Sequence, residues 1–186
     1  MAQIRVLHEI HQDLEKDLPM MRLVQGDVGS GKTMIALLGC CRAIDSGSQA
    51  VVMAPTTILA EQHHLSITQL LHNNAEEIAL LTGSTPSQER KKILKKLTEG
   101  EIKLLIGTHA VFQSDVVFKR LGLVVIDEQH RFGVNQRLSL VQKQNQINKA
   151  PHQLTLTATP IPRTLAMSIY AHMDVSVVDE LPPGLD

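Results

Sequence analysis

Eight consecutive residues have the types and spacing of a loop that holds phosphate groups. Glycines let backbone N–H groups approach phosphate oxygens, and the N-terminus of a following helix adds positive partial charge. Lys32 could reach the β- and γ-phosphates, and the Thr33 hydroxyl could coordinate Mg²⁺. The pattern G-x-x-x-x-G-K-[ST] is matched in full by Gly26, Asp27, Val28, Gly29, Ser30, Gly31, Lys32 and Thr33. We therefore predict a site for a nucleoside triphosphate with Mg²⁺, the alternative being a chance glycine-rich turn before a helix.

Two carboxylates follow a continuous apolar run later in the chain. The run 123–126 leads directly into Asp127 and Glu128. In open α/β sheets, ligands bind at the carboxyl ends of the strands. Asp127 would hold Mg²⁺ through water, and Glu128 would orient and polarise the attacking water. Such a pair alone is typical of a solvated strand end, but together with the phosphate loop it predicts hydrolysis by in-line attack on the γ-phosphate.

A third segment places hydroxyl groups at the end of a short apolar run. Thr157 and Thr159 follow the run 154–156, and Pro160 then fixes a turn before a helix start. By itself this pattern indicates a capped strand-to-helix turn, and its spacing says no more.

Short apolar runs that alternate with helical patterns would position these residues. The runs are continuous rather than alternating, as strands buried on both faces of a parallel sheet require. They cover 22–25, 50–54, 78–81, 103–107, 121–126, 154–156 and 175–178. The clearest helix has Thr85 as a predicted N-cap, Pro86 in its first turn, Gln88 completing a capping box, and Gly100 as its stop signal. We therefore predict an α/β fold with a mostly parallel sheet.

Composition narrows the possible functions of this 186-residue chain. Aromatic residues make up 2%, which argues against aromatic platforms for stacking bases, and the net charge of −1 argues against a generally basic surface for nucleic acid. The predicted helix is rich in Lys and Arg between residues 90 and 96, for which a solvated face is favoured over a DNA-facing stripe. Nine histidines, including the adjacent His63 and His64, show no zinc-site spacing.

The chain has the features of a cytoplasmic protein. Its first residues lack the apolar segment of a signal peptide, and no apolar run approaches the length of a membrane span. The two cysteines, Cys40 and Cys41, are adjacent and cannot form an ordinary disulfide with each other. We expect both to be small thiols in or near the core.

The three segments together resemble motifs I, II and III of superfamily 2 helicases and translocases. Further segments resemble motif Ia (55–62), motif Ib (81–83) and motif Ic (107–110). Longer strings, including DEQHRFG at 127–133, TATPIPRTLA at 157–166 and DELPPG at 179–184, are similar to the RecG family of DNA helicases. Transcription-repair coupling factors share several of these strings but typically have Glu where this chain has Gln129.

The resemblance implies a role for each matching residue. Gln3 resembles the adenine-reading glutamine upstream of motif I, and His130 joins Lys32, Asp127 and Glu128 in the catalytic set. Four residues would couple the state of the γ-phosphate to the second motor domain: Gln129, Thr157, Thr159 and Arg163. Four positions would touch the DNA backbone: Thr56, Gly83, Thr108 and His109. Hydroxyl and main-chain N–H groups suit phosphate contacts, which position a protein on DNA rather than read its sequence.

The resemblance also implies the organisation of the native protein. Residues 1–181 would form the first RecA-like domain, with helices on both faces of the sheet, and 182–186 would begin a linker to a second RecA-like domain. The expected ligands are ATP, Mg²⁺ and branched or forked DNA, and the expected intramolecular partners are the second RecA-like domain and a wedge domain. The second domain would carry an arginine finger, so this chain is expected to bind nucleotide but hydrolyse it poorly. The alternatives are the same domain of a coupling factor, a stand-alone binding module without motor activity, and a P-loop ATPase unrelated to nucleic acid.

Overall fold

The computed structural model describes residues 1–128, 150–160 and 173–179, with the side chain of Glu128 excepted. Within these ranges, seven strands form a single sheet in the order β3-β4-β2-β5-β6-β1-β7. The strands are β1 (Met21–Gly26), β2 (Gln49–Met53), β3 (Ile78–Leu81), β4 (Leu104–Gly107), β5 (Leu121–Glu128), β6 (His152–Thr157) and β7 (Asp174–Val178). Every neighbouring pair is parallel. All seven carboxyl ends therefore lie at one edge of the sheet, as the continuous apolar runs predict.

Helices cover both faces of this sheet. They are α1 (Ala2–Leu14), α2 (Lys32–Asp45), α3 (Thr57–Leu70) and α4 (Ser87–Glu99), with short 3₁₀ segments at His72–Glu77 and His109–Phe112. One apolar core joins the sheet to buried residues of α1, α2 and α3, and a second core joins it to Ile93 and Leu97 of α4. The arrangement confirms the predicted α/β class with a parallel sheet. In the described ranges, no helix has the length and apolar character needed to cross a membrane.

The start of α4 differs from the sequence prediction. The N-cap is Pro86, and the structure shows no side-chain hydrogen bond at this cap. Thr85 Oγ1 instead accepts a hydrogen bond from the backbone N–H of Thr82, 3.0 Å away, within the preceding turn. The predicted capping box is therefore wrong because the threonine hydroxyl closes the turn before the helix. The predicted stop is confirmed, since Gly100 caps the helix with φ of 81°.

The lysines on the outer face of α4 are exposed, and the preference for a solvated face over a DNA-facing stripe stays a prediction. Lys91, Lys92, Lys95 and Lys96 are all exposed. Arg90 is the exception, because its guanidinium pairs with the Asp115 carboxylate at 2.7 Å and ties α4 to the segment that follows β4.

A buried charge cluster holds α1 against the far end of the sheet. Arg22 of β1 donates hydrogen bonds to Asp13 Oδ2 at 2.7 and 2.9 Å and to Ser176 Oγ of β7 at 2.7 Å. It also contacts Glu9 of α1 at 3.3 Å. The cluster fixes the helix that carries Gln3 toward the phosphate loop.

Candidate functional site

The predicted functional residues lie at the carboxyl edge of the sheet and fall into two groups. Strands β1, β5 and β6 end at the phosphate loop, at Asp127 and at Thr157. Strands β2, β3 and β4 lead into the segments that contain Thr56, Gly83 and Thr108. In the strand order, β5-β6-β1 and β3-β4-β2 are contiguous blocks that meet between β2 and β5. The sheet order therefore separates the predicted nucleotide residues from the predicted DNA residues along one edge.

The phosphate loop has the backbone conformation that its glycines allow. Gly29 and Gly31 have φ of 84° and 90°, in the left-handed region that favours glycine. A Cβ on Gly26 would lie 2.6 Å from Ser30 Oγ and 2.9 Å from the carbonyl oxygen of Val178. The loop thus needs glycine at position 26 for close packing and at 29 and 31 for conformation, and α2 begins directly behind it at Lys32.

The Lys32 ammonium group lies inside the curve of this loop. Its Nζ donates hydrogen bonds to the carbonyl oxygens of Gly26 at 2.5 Å and Asp27 at 2.6 Å. Burial lowers the pKa of Lys32, although the negative charges of Asp127 and Asp27 act in the opposite direction. The Asp127 carboxylate is therefore near enough to Lys32 to act on its charge, and the catalytic roles of both residues stay predictions.

The residues predicted to bind Mg²⁺ offer suitable donors. Asp127 supplies a partly buried carboxylate, with 18% of its side chain exposed, and Thr33 is exposed in the first turn of α2. Mg²⁺ prefers oxygen ligands and keeps several waters, with one or two protein ligands plus phosphate oxygens. Among the described residues, no group of three or more His, Cys, Asp or Glu side chains could hold a metal. Asp127 and Thr33 thus offer oxygen donors of the kind that a nucleotide-bound Mg²⁺ takes, and the Mg²⁺ site stays a prediction.

Gln3 lies against the phosphate loop although it is distant in sequence. Its Nε2 donates a hydrogen bond to the Ser30 carbonyl oxygen at 3.2 Å, and its Cγ would lie 3.6 Å from a Cβ on Gly31. Gln3 therefore lies beside the phosphate loop, and its reading of adenine stays a prediction.

The turn after β6 is organised by the hydroxyl of Thr157. This buried side chain accepts a hydrogen bond from the Thr159 backbone N–H at 3.2 Å, while Thr159 itself is exposed. Thr159 is therefore exposed at the carboxyl edge of the sheet. Asp127 lies at the same edge, at the end of β5, which pairs with β6. The predicted coupling role of both threonines remains a prediction.

The predicted DNA-contact residues differ in exposure. Thr56, Gly83 and His109 are exposed, whereas Thr108 is 4% exposed and its hydroxyl has no hydrogen-bond partner among the described residues. Thr56 caps α3, since its Oγ1 accepts a hydrogen bond from the Leu59 N–H at 3.3 Å. Three of the four positions therefore present accessible groups along the β3-β4-β2 half of the edge.

Comparison with known proteins identifies the family of this chain. The model of the DEAD/DEAH box helicase family matches residues 1–168. The chain belongs to this family. The RecG helicase of Pasteurella multocida is 54% identical over 98% of the chain, and that of Aquifex aeolicus is 52% identical over the same share. The predicted resemblance to RecG helicases is thereby confirmed. The matches cover 26% and 23% of those relatives, so the chain spans about a quarter of their length.

Solved helicase structures confirm the RecA-like fold. The structure of RecG bound to a three-way DNA junction matches with a TM-score of 0.85 and 43% identity, covering all of this chain and 24% of that one. The Hef helicase domain of Pyrococcus furiosus matches with a TM-score of 0.72 at 21% identity, covering 97% of this chain and 38% of that one. At this identity, the match is evidence for the fold and not for the function.

Some predicted residues of this helicase chain lie outside the described ranges. They are Gln129, His130 and Arg163, together with the predicted linker 182–186.

The structure also brings one residue to the site that the motif patterns did not assign. His63 of α3 contacts the Asp127 carboxylate, with Nε2 and Oδ2 3.0 Å apart. One sequence signal could have indicated that His63 belongs to the site, namely its position two turns after Thr56 on the same helix.

Proposed function

We propose that this chain is the first, ATP-binding motor domain of a DNA helicase or translocase that remodels branched DNA, including stalled replication forks, during recombination and repair. The observation that carries the proposal is the glycine-shaped phosphate loop, with Lys32 inside it and Asp127 in electrostatic range. The similarity to RecG helicases, one of which was solved on a three-way DNA junction, supports branched DNA as the substrate. We place this function in the cytoplasm, where cysteines stay reduced, which is compatible with the free thiols of Cys40 and Cys41.

The proposed chemistry assigns one task to each residue of the nucleotide half. The loop from Gly26 to Thr33 binds the phosphates, with Lys32 placing positive charge beside them. Thr33 and Asp127 hold Mg²⁺, which neutralises charge on the phosphates when it is bound. We assign Glu128 to orient the attacking water, and Gln3 to the adenine. From the sequence pattern we assign His130 to the catalytic set.

The proposed mechanical coupling assigns the remaining residues to two surfaces. Gln129, Thr157, Thr159 and Arg163 would face a second RecA-like domain, and a wedge domain would split the branch point. Thr56, Gly83, Thr108 and His109 would contact the DNA backbone. Because the Thr108 hydroxyl is buried, we expect His109 to contribute the larger share at the end of β4. An arginine finger from a second domain is worth about 10³ to 10⁵ in rate, so residues 1–181 alone should bind ATP and hydrolyse it slowly.

A paired measurement of binding and turnover tests this proposal. A fluorescent ATP analogue and ATP hydrolysis would be followed with and without a three-way junction, for the unmodified protein and for Lys32→Ala. Lys91→Ala is the matched control, since Lys91 is exposed on α4 away from the loop. We expect Lys32→Ala alone to abolish Mg²⁺-dependent binding. Binding that survives in Lys32→Ala, or binding unaffected by any nucleotide competitor, would refute the assignment of the loop.

A further inference from the structure

Helix α3 crosses the boundary between the two halves of the functional edge. It follows β2, the last strand of the half that carries the predicted DNA contacts, yet its His63 reaches Asp127 at the end of β5. The Nε2–Oδ2 distance is 3.0 Å, and the two side chains are only 15% and 18% exposed. Because an ionised carboxylate can only accept, Nε2 is the donor in this hydrogen bond.

The same helix begins at a residue proposed to contact DNA. Thr56 caps α3, and the hydroxyl that accepts the Leu59 N–H keeps its own proton for a further acceptor. His63 follows Thr56 by seven residues, which is about two turns and roughly 10 Å along the axis. Residues at this spacing lie on the same side of a helix. One rigid element therefore holds both the proposed DNA contact and the group that touches Asp127.

We propose that His63 is a positioning residue for Asp127. Its hydrogen bond holds the Asp127 carboxylate in place for Mg²⁺-nucleotide and links this carboxylate to helix α3. The inference rests on the proposed function, because it assumes that the loop and Asp127 bind ATP with Mg²⁺. Nothing in the motif pattern requires it, since the phosphate loop and Asp127 are complete without a histidine from α3.

The chemistry of the contact explains why it would matter. A carboxylate has lone pairs on both oxygens, so a hydrogen bond to Oδ2 and a metal–water shell can coexist. The donated hydrogen bond fixes the rotation of the carboxylate plane before nucleotide binds. Partners that orient metal ligands in this way typically change metal affinity by about 10- to 100-fold when they are removed. Because Asp127 is proposed to act through water, we expect an effect at the lower end of that range.

The test measures Mg²⁺ dependence of binding rather than turnover. Binding of a fluorescent ATP analogue would be titrated with Mg²⁺ and compared with binding in excess EDTA. His63→Phe keeps a ring and removes the donor, whereas His63→Gln keeps an N–H donor at nearly the same reach. His64→Phe is the matched control. His64 is the adjacent, half-buried histidine, and its side chain hydrogen-bonds the backbone of Ile78 rather than Asp127.

A positioning role predicts a specific pattern of results. His63→Phe should raise the Mg²⁺ concentration for half-maximal binding about tenfold, leave the affinity in EDTA unchanged, and be rescued by His63→Gln. His64→Phe should leave the Mg²⁺ midpoint unchanged. If His63→Phe does not fold, the comparison of His63→Gln with the shorter His63→Asn carries the same test, with the Mg²⁺ midpoint raised only in His63→Asn.

Two results would overturn the inference while the proposed function stands. One is an unchanged Mg²⁺ midpoint in His63→Phe, and the other is an equal loss of affinity with and without Mg²⁺, which would indicate a purely structural role. If instead the unmodified protein shows no nucleotide binding that Lys32→Ala removes, the proposed function fails and the inference fails with it.

Discussion

The buried charge cluster between α1 and the sheet makes a quantitative prediction about stability. Arg22 is 11% exposed and donates two hydrogen bonds to Asp13, which is 5% exposed. Arg22→Met keeps much of the side-chain volume but removes every donor. Asp13 would then remain a buried carboxylate whose remaining partner in the cluster is Lys16, a residue 63% exposed. The substitution therefore leaves a charge that water cannot reach easily.

The expected cost follows from the geometry of this cluster. Removing one partner of a buried ion pair typically costs about 3 to 5 kcal/mol. Lys16 is retained at 2.7 Å from Asp13 Oδ1, so we expect the lower value, about 3 kcal/mol. For a chain of this size, that change corresponds to a Tm lower by roughly 6 to 12 °C. The double variant Arg22→Met/Asp13→Leu removes both charges and should recover most of this loss, because apolar replacement of a complete buried pair is often neutral.

Urea unfolding at several pH values measures both the size and the sign of the effect. Burial by itself raises the pKa of Asp13, but hydrogen bonds from Lys16 and Arg22 outweigh it, so the pKa lies below its ordinary value of 3.8. A lowered carboxyl pKa stabilises the folded state above the unfolded pKa, and this contribution is lost as the pH falls through the folded value. The difference in the free energy of unfolding between the unmodified protein and Arg22→Met should therefore have its full size at neutral pH. It should shrink as the pH falls below the ordinary Asp pKa of 3.8.

A surface ion pair provides the control for this experiment. Arg42 and Glu15 are 49% and 65% exposed and lie 3.1 Å apart, so Arg42→Met should cost less than about 1 kcal/mol. The reasoning is refuted if Arg22→Met costs no more than Arg42→Met, if its effect is independent of pH, or if the double variant is no more stable than Arg22→Met.

Three further predictions concern the loop, a buried amide and the thiols. Gly26→Ala should abolish nucleotide binding in the fluorescence titration, because its Cβ would meet Ser30 Oγ at 2.6 Å and a backbone carbonyl at 2.9 Å. Gln49→Leu should lower the free energy of unfolding by about 3 kcal/mol, because the 2% exposed amide hydrogen-bonds three backbone groups that would lose their partner. Burial raises the pKa of Cys40 and of Cys41, so iodoacetamide at neutral pH should modify both far more slowly in native than in urea-unfolded protein, as mass spectrometry would show.

Much of the fold could be predicted because the relevant signals are local in sequence. Each of the seven apolar runs is a strand in the structure, and the predicted ends agree with the observed ends to within two residues. A strand buried on both faces needs a continuous apolar run, and this need does not depend on which neighbours it has. The phosphate loop was equally predictable, since its glycines and lysine act within eight consecutive residues.

The parts that the sequence did not predict depend on contacts between distant residues. His63 and Asp127 are 64 positions apart, and Arg22 and Ser176 are 154 apart, so no spacing rule relates them. The capping box failed for a different reason. The Thr85 hydroxyl accepts from the Thr82 N–H within the preceding turn, and α4 has no side-chain hydrogen bond at its cap. At this helix the hydroxyl was the weaker predictor and the Gly100 stop the stronger one, whereas the Thr56 hydroxyl does cap α3.

The strand order gives a physical reason for coupling between nucleotide and DNA. If the nucleotide and DNA residues were interleaved along the edge, each strand end would have to serve both ligands. Here the two predicted sets occupy separate halves, and they meet only between β2 and β5. A physical connection between the two ligands must cross that boundary. The hydrogen bond between His63 and Asp127 crosses it, because His63 lies on α3, the helix that Thr56 caps. If DNA bound at α3 changes the Mg²⁺ midpoint for nucleotide binding, linkage requires Mg²⁺-nucleotide to change the affinity for DNA by the same factor, and DNA titrations with and without Mg²⁺-nucleotide measure it.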